Sequence, residues 1–169
     1  MLPPTVEATS ASPIWLHAVS VGEVLSSVEL IRRLQREAPG IEVFVSTATL
    51  AGRATAEQRL KGLASAVFFA PLDYKSVVRR VLRRLRPAVV VVMETEIWPH
   101  LYREAKRSGA SLVVVNGRIS DRALGKYRGL SGLFRHVLCW ADTILVQSGQ
   151  DAARYAMAGA PGSGTICVT

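Results

Sequence analysis

The sequence holds few of the residues that most directly mark chemistry. Its 169 residues include two cysteines, Cys139 and Cys167, and three histidines, His17, His100 and His136. The cysteines show no C-x-x-C spacing and no neighbouring His cluster, so neither a zinc site nor a disulfide framework is indicated, and a reducing cytosolic setting fits. The histidines lack metal-ligand spacing, a nucleophile elbow is missing, and no metal site is expected. Neither G-x-G-x-x-G nor G-x-x-x-x-G-K-[ST] follows any candidate strand, which removes the usual nucleotide fingerprints. No apolar run approaches the roughly 20 residues of a membrane span. Residues 1–12 are polar and Pro-containing, without the basic start and apolar centre of a signal peptide, and read as a flexible lead.

What is present is the composition of a folded protein. Hydrophobic residues make up 49% and charged residues 20%, enough for one domain with a substantial core over 13–169. Twenty-one Lys and Arg stand against 13 Asp and Glu, a net charge of +8, which favours anionic partners: phosphates, nucleic acid or an acidic membrane.

Apolar runs recur with amphipathic segments between them, at Ile14–Ala18, Ile41–Ser46, Ala66–Ala70, Ala88–Met93, Ser111–Val115, Thr143–Val146 and Ile166–Val168. They are too continuously apolar for half-exposed strands. Alternation of that kind predicts a parallel sheet covered by helices on both faces, a doubly wound, Rossmann-like α/β fold. Val24, Leu25, Val28, Ile31 and Leu34 predict a helix from Glu23 to Pro39-Gly40, and a second is expected over 51–63. Asp73 reads as the N-cap of a helix over 75–86 that Pro87 closes. On that helix Val77, Val78, Val81, Leu82 and Leu85 fall on one side, and Lys75, Arg79, Arg80, Arg83, Arg84 and Arg86 on the other. Such a face is either solvated or in contact with anionic lipid or phosphate. Nucleic acid is disfavoured, because no aromatics interleave the arginines and no nucleic-acid motif accompanies them.

Three strand ends carry polar residues where open α/β sheets bind ligands. The first is His17-Ala-Val-Ser-Val-Gly-Glu-Val24, read as strand, turn and helix. Gly22 is expected to make the turn and let a ligand approach, while Glu23 falls in the first helical turn, where the macrodipole favours a carboxylate. Glu23 is thus either a functional acid or a helix-stabilising one. The second end, Met93-Glu-Thr-Glu-Ile-Trp-Pro99, follows a buried strand with two carboxylates and a Trp, which reads as a polar ligand site or as a cap for the next helix. The third, Asn116-Gly-Arg-Ile-Ser120, places Arg118 in a loop on the same rim, suited to gripping a phosphate or carboxylate, or to a structural salt bridge. His17 is close enough to touch the site, though packing alone would account for it.

Taken together, these pieces resemble the amino-terminal domain of the Kdo (3-deoxy-D-manno-octulosonic acid) transferases. The likeness runs through Ile14–Val24, Pro71 with Asp73, Met93–Pro99, Asn116–Ser120, Gln147-Ser148, Asp151, Arg154 and Gly159-Ala160. The Ser-Val-Gly-Glu and Glu-Thr-Glu-x-Trp-Pro pieces are its most specific parts. Gly117 and Ala123 depart from residues common in that loop.

The resemblance implies the amino-terminal half of a GT-B glycosyltransferase that transfers Kdo from CMP-Kdo to a lipid A precursor (lipid IVA), with inversion, at the cytoplasmic face of the bacterial inner membrane. Glu23 would be the general base. Ser20, Gly22, Glu94, Glu96, Trp98 and Arg118 would line the acceptor side, and no cofactor is implied beyond the donor. A donor-binding second domain and the family's membrane anchor are expected outside this sequence, so the chain alone should be inactive and bind the anionic membrane surface peripherally. One competing reading is a non-catalytic module for anionic lipid or sugar phosphate, and another is a basic nucleic-acid-binding domain.

Overall fold

The computed structural model describes Pro3 and residues 13–120, 131–162 and 165–169. The lead over 1–12, Pro3 apart, and Ala123 lie outside the described residues. Seven parallel strands form one sheet in the order β3-β2-β1-β4-β5-β6-β7. They are β1 (Ile14–His17), β2 (Val43–Thr47), β3 (Ala66–Phe69), β4 (Val89–Met93), β5 (Ser111–Gly117), β6 (Thr143–Val146) and β7 (Ile166–Val168). All seven runs expected from the sequence are strands. The described helices are α1 (Val21–Glu37), α2 (Leu50–Arg59), α3 (Lys75–Leu85), α4 (Pro99–Arg107), α5 (Ser131–Leu138) and α6 (Gly149–Met157).

Alternation along the strands feeds two cores. Ile14, Leu16, Val43, Val45, Val91 and Met93 meet Val24 and Ile31 of α1, Ala56 of α2 and Leu60 at its C-cap on one face. Trp15, Phe44, Val90, Val92, Leu112 and Val114 meet α3, α4, α5 and α6 on the other. A sheet covered on both faces must have apolar residues at successive positions, which explains the unbroken valines of β4. Strand order reverses between β1 and β4, so the chain leaves their carboxyl ends toward opposite faces, to α1 and to α4, and a crevice forms there.

Two local expectations are corrected. Gly22 does not make the turn after β1: Ser20, in an extended conformation, is the N-cap, and Gly22 already lies in α1 without a positive φ. Nor does Asp73 cap α3, whose N-cap is Tyr74 without a side-chain bond. Its carboxylate instead accepts from the backbone N–H groups of His100 (3.1 Å) and Leu101 (2.8 Å), satisfying the free donors at the start of α4. Because α3 and α4 lie side by side on one face, the loop before α3 reaches the neighbouring helix more readily than its own.

Candidate active site

The turn after β1 is a reciprocal cap. Ser20 Oγ accepts from the Glu23 backbone N–H (3.3 Å) and donates to Glu23 Oε1 (2.7 Å), while Oε2 accepts from the Val19 N–H (2.8 Å). This is the S-x-x-E capping box, with the carboxylate reaching one residue further back than usual. The pattern was readable in Ser20-Val-Gly-Glu23 and supplies a structural reason for both residues. Glu23 is only 5% exposed, and burial pushes its carboxyl above the usual range, against the pull of the Ser20 and Val19 bonds; Glu96 and Glu94 push in the same direction as burial. Those two acids stand across the crevice, at the end of β4. The structure thus brings the expected acids into one electrostatic neighbourhood, although they come from two separate strand ends.

The remaining expected residues are held by short-range bonds. Glu94 occupies the left-handed region (φ 55°), as does Asn116 (φ 60°), strained positions for residues other than glycine that cluster at this rim. Its carboxylate pairs with Arg118 (3.1 Å) and accepts from Asn116 Nδ2 (3.5 Å), and Gln147 Nε2 donates to Asn116 in turn. Thr95 Oγ1 donates to the Arg118 carbonyl. Glu96 accepts from the Trp98 indole N–H (2.6 Å), and Trp98 meets the His17 ring edge to face at 4.5 Å. A Cβ at Gly22 would meet nothing nearer than Ser20 Oγ at 3.9 Å, so the space above this turn stays open.

His17 is fully buried. Ser46 Oγ, directly across the ladder, accepts from Trp15 Nε1 (2.8 Å) and shares a hydrogen bond with His17 Nδ1 (2.9 Å). The other ring nitrogen, Nε2, is buried with no hydrogen-bond partner among the described residues. Burial lowers the pKa of His17 to about 4, so the ring is neutral at physiological pH. It is a packed spacer under Trp98.

Beside this centre, a cavity of about 590 Å³ is lined by Thr95, Arg118, Ile119, Ser120, Asp151 and Arg154. Its two guanidinium groups are each paired with a carboxylate, Arg118 with Glu94 (3.1 Å) and Arg154 with Asp151 (3.7 Å). Among the described residues no group of three His, Cys, Asp or Glu side chains could hold a metal ion, and no helix is long and apolar enough to cross a membrane.

The model of one protein family, described as 3-deoxy-D-manno-octulosonic-acid transferase (kdotransferase), matches residues 2–169. The chain belongs to the Kdo transferase family. It is 34% identical to a 3-deoxy-D-manno-octulosonic acid transferase of Bordetella pertussis over 158 residues, which cover 90% of this chain and 36% of that protein. It is 33% identical to the corresponding protein of Chlamydia trachomatis over 134 residues, which cover 79% of this chain and 31% of that protein. The chain thus spans about a third of the length of the relatives it matches. By shape it is similar to the UDP-GlcNAc 2-epimerase of Neisseria meningitidis, with a TM-score of 0.66 at 14% identity, covering 93% of this chain and 46% of that one. The fold is that of the amino-terminal Rossmann-like half of a GT-B protein.

Some residues of this Kdo transferase domain matter to the site without being visible as such in the sequence. Tyr155, fully buried on α6, donates its hydroxyl to the Glu94 carbonyl (3.0 Å) and so props the strained residue from behind. That contact explains Gly117, where a Cβ would lie 3.0 Å from the Tyr155 ring and 3.2 Å from Val146. Gly52 has a similar role: a Cβ there would sit 2.8 Å from Thr49 Oγ1 and 3.3 Å from the Val19 carbonyl, so its absence lets α2 press against the Ser20 turn. An isolated Gly inside a helical pattern was the available signal for Gly52. For Tyr155 there was none, since its partner lies 61 residues away.

Proposed function

We propose that this domain forms the acceptor side of an inverting glycosyltransferase that moves Kdo from CMP-Kdo to a hydroxyl of a lipid A precursor, with Glu23 as general base. In this reading a Glu23 oxygen takes the proton of the acceptor hydroxyl as the hydroxyl's own oxygen bonds to the anomeric carbon of Kdo. The bond from that carbon to the phosphate breaks at the same time, and CMP leaves from a second domain outside this sequence. The observation that carries the proposal is the electrostatic setting of Glu23: buried, raised in pKa, facing other carboxylates, and with no cation bonded to it among the described residues. A base with a raised pKa binds the transferred proton more firmly than a solvated Glu would. Each of its oxygens accepts one hydrogen bond and keeps a lone pair for the acceptor hydroxyl. Arg118 on the neighbouring cavity wall is exposed and gives one nitrogen to Glu94, which leaves further N–H groups for a phosphate of the acceptor. The chain's positive charge fits work at the anionic cytoplasmic face of the inner membrane.

One observation favours a second reading, a non-catalytic module for anionic lipid or sugar phosphate: both Glu23 oxygens already serve in a helix cap. Glu23→Gln in the complete two-domain enzyme separates the two. Glutamine serves in a capping box, its Oε1 accepting from Val19 N–H and its Nε2 donating to Ser20 Oγ, yet it takes no proton. We expect acceptor binding to persist while single-turnover transfer falls about 10²- to 10⁴-fold. Near-normal transfer would leave Glu23 as a cap and move the search for the base to Glu94 and Glu96.

A further inference from the structure

At the opposite end of the sheet, a second feature is unrelated to the crevice. The chain passes through Arg86, Pro87 and Ala88 into the start of β4, whereas Glu94 closes that strand, about 20 Å further along at the usual rise per residue. Between the outer faces of α3 and α4 lies a groove. One part of about 310 Å³ is lined by Arg79, Leu82, Arg83, Glu104, Arg107 and Ser108. It continues into a part of about 520 Å³ that adds Arg86 and Gly109.

The groove has an unbalanced charge. Glu104, 2% exposed, is the one acid in its lining, and it is occupied: Arg79 Nε donates to Oε2, and Arg103 lies 3.7 Å from Oε1. Arg83, Arg86 and Arg107 have no carboxylate partner among the described residues and are all exposed. Arg79 and Arg83, at i and i+4, lie on the ridge of α3 that faces α4 along the groove, and Arg86, the residue that ends the helix, lines the groove beyond them.

Arg86 adds an independent observation. Four described helices, α1, α2, α4 and α6, are followed by a glycine at positive φ: Gly40 (85°), Gly62 (77°), Gly109 (88°) and Gly159 (99°). At the end of α3 the left-handed position, φ 48° and ψ 50°, is held by Arg86, just before Pro87. Glycine would take that conformation without the steric cost an arginine bears. The sequence keeps a cation at the groove mouth at the expense of backbone comfort.

We propose that the α3–α4 groove is a binding site for the phosphate of an anionic lipid headgroup, separate from the acceptor crevice. Arg83, Arg86 and Arg107 hold the phosphate, while Arg80 and Arg84, which point outside the groove lining, face the surrounding charged surface. The ridge carries no aromatic platform on which a nucleobase would stack, so a strand of nucleic acid fits it less well than a lipid surface. The anion site stands on the groove alone. The choice of a lipid rests on the membrane reading given above, and loss of sugar transfer would leave the site unaffected.

The test is vesicle binding by the 169-residue chain. Vesicles of phosphatidylcholine with a third phosphatidylglycerol are compared with pure phosphatidylcholine at low salt and at 0.5 M salt. Arg83→Gln/Arg107→Gln removes two charges from the groove, and Arg80→Gln/Arg84→Gln removes two from the same flank outside it. We expect the groove pair to weaken binding about tenfold or more and the control pair about threefold or less, with thermal melts of both unchanged. Equal losses in the two pairs would mean smeared electrostatics and overturn the site, as would undiminished binding in the groove pair. Millimolar inorganic phosphate raising the melting temperature without any vesicle binding would overturn the lipid as occupant. Tighter binding of a single-stranded oligonucleotide at equal phosphate concentration would do the same.

Discussion

After β1, Ser20 and Glu23 close the first turn of α1; after β6, Ser148 and Asp151 do the same for α6. The bonds nearly superimpose in kind. Each serine hydroxyl donates to the carboxylate three residues on, at 2.7 Å and 2.6 Å, and each accepts from that residue's backbone N–H, at 3.3 Å and 3.1 Å. Their surroundings differ. Asp151 has Arg154 at 3.7 Å, on the next turn of its own helix, whereas Glu23 has the Val19 N–H, a dry wall and two more carboxylates across the crevice. One local motif therefore yields a neutralised cap in one place and a candidate base in the other. What distinguishes them is the electrostatics that the topology brings alongside. β1 and β4 meet at the switch point, and β6 does not.

The two acids should differ most in how dispensable they are. In the complete enzyme, Asp151→Asn keeps a side chain able to accept from Ser148; because Asp151 also stands beside Arg154 on the cavity wall, the acceptor KM is the quantity it should move, while single-turnover transfer at saturating acceptor stays nearly unchanged, against the loss of about 10²- to 10⁴-fold expected for Glu23→Gln. Parallel single-turnover rates decide it, and similar losses in both variants would mean that the cap geometry, rather than the base, limits the reaction.

A second way to sharpen it uses acid. The β1 end is dry enough to hold His17 neutral down to about pH 4, whereas in the unfolded chain this ring titrates near 6.5. Between those values the unfolded state binds the proton and the folded state does not, so stability rises with pH across the window and is lost as pH falls through it. Moving the titration from 6.5 to about 4 corresponds to about 3 kcal/mol. The raised carboxyl of Glu23 acts in the opposite sense, costing stability as pH climbs out of the carboxylate range, so the wild-type slope is a difference of two effects. His17→Phe isolates them by keeping the aromatic contact with Trp98 while removing the titration. Denaturant unfolding at pH 6.5, 5.5 and 4.5 should show a smaller acid loss in the variant than in the wild type. Parallel pH dependences would mean that water reaches His17 and that the β1 end is not the dry wall this comparison needs.

Much of this was legible in the chain because it is local. Seven apolar runs gave seven strands, since a strand buried on both faces cannot hide its apolar character. Polar residues at the ends of β1, β4 and β5 marked the crevice, because carboxylates directly after a run such as Val89–Met93 have few other reasons to be there. The S-x-x-E pattern at Ser20 was equally local and explains why α1 starts two residues before Glu23. What could not be read depends on neighbours distant in sequence. Asp73 bonds to α4, 27 and 28 residues on, instead of to the helix it precedes. Tyr155 supports Glu94 from α6, and Ser46, 31 and 29 residues away, bonds both Trp15 and His17.

The smallest expected effects concern the serines, where the two turns should agree in one measurement and part in another. Ser20→Ala and Ser148→Ala each remove an N-cap acceptor and should each cost about 1 kcal/mol in denaturant unfolding, since a lost cap leaves a first-turn N–H unsatisfied. Ser20→Ala also deletes the hydroxyl bond that holds the Glu23 carboxyl down, leaving burial opposed only by the Val19 N–H. The carboxyl should then titrate higher still. A general base works only when deprotonated, so the acid limb of the pH–rate profile of the complete enzyme should move to higher pH in Ser20→Ala and stay in place in Ser148→Ala. If both serines cost the same stability and neither moves the limb, that limb does not report Glu23. The two turns would then be the same structural device used twice, and the base would have to be sought across the crevice on β4.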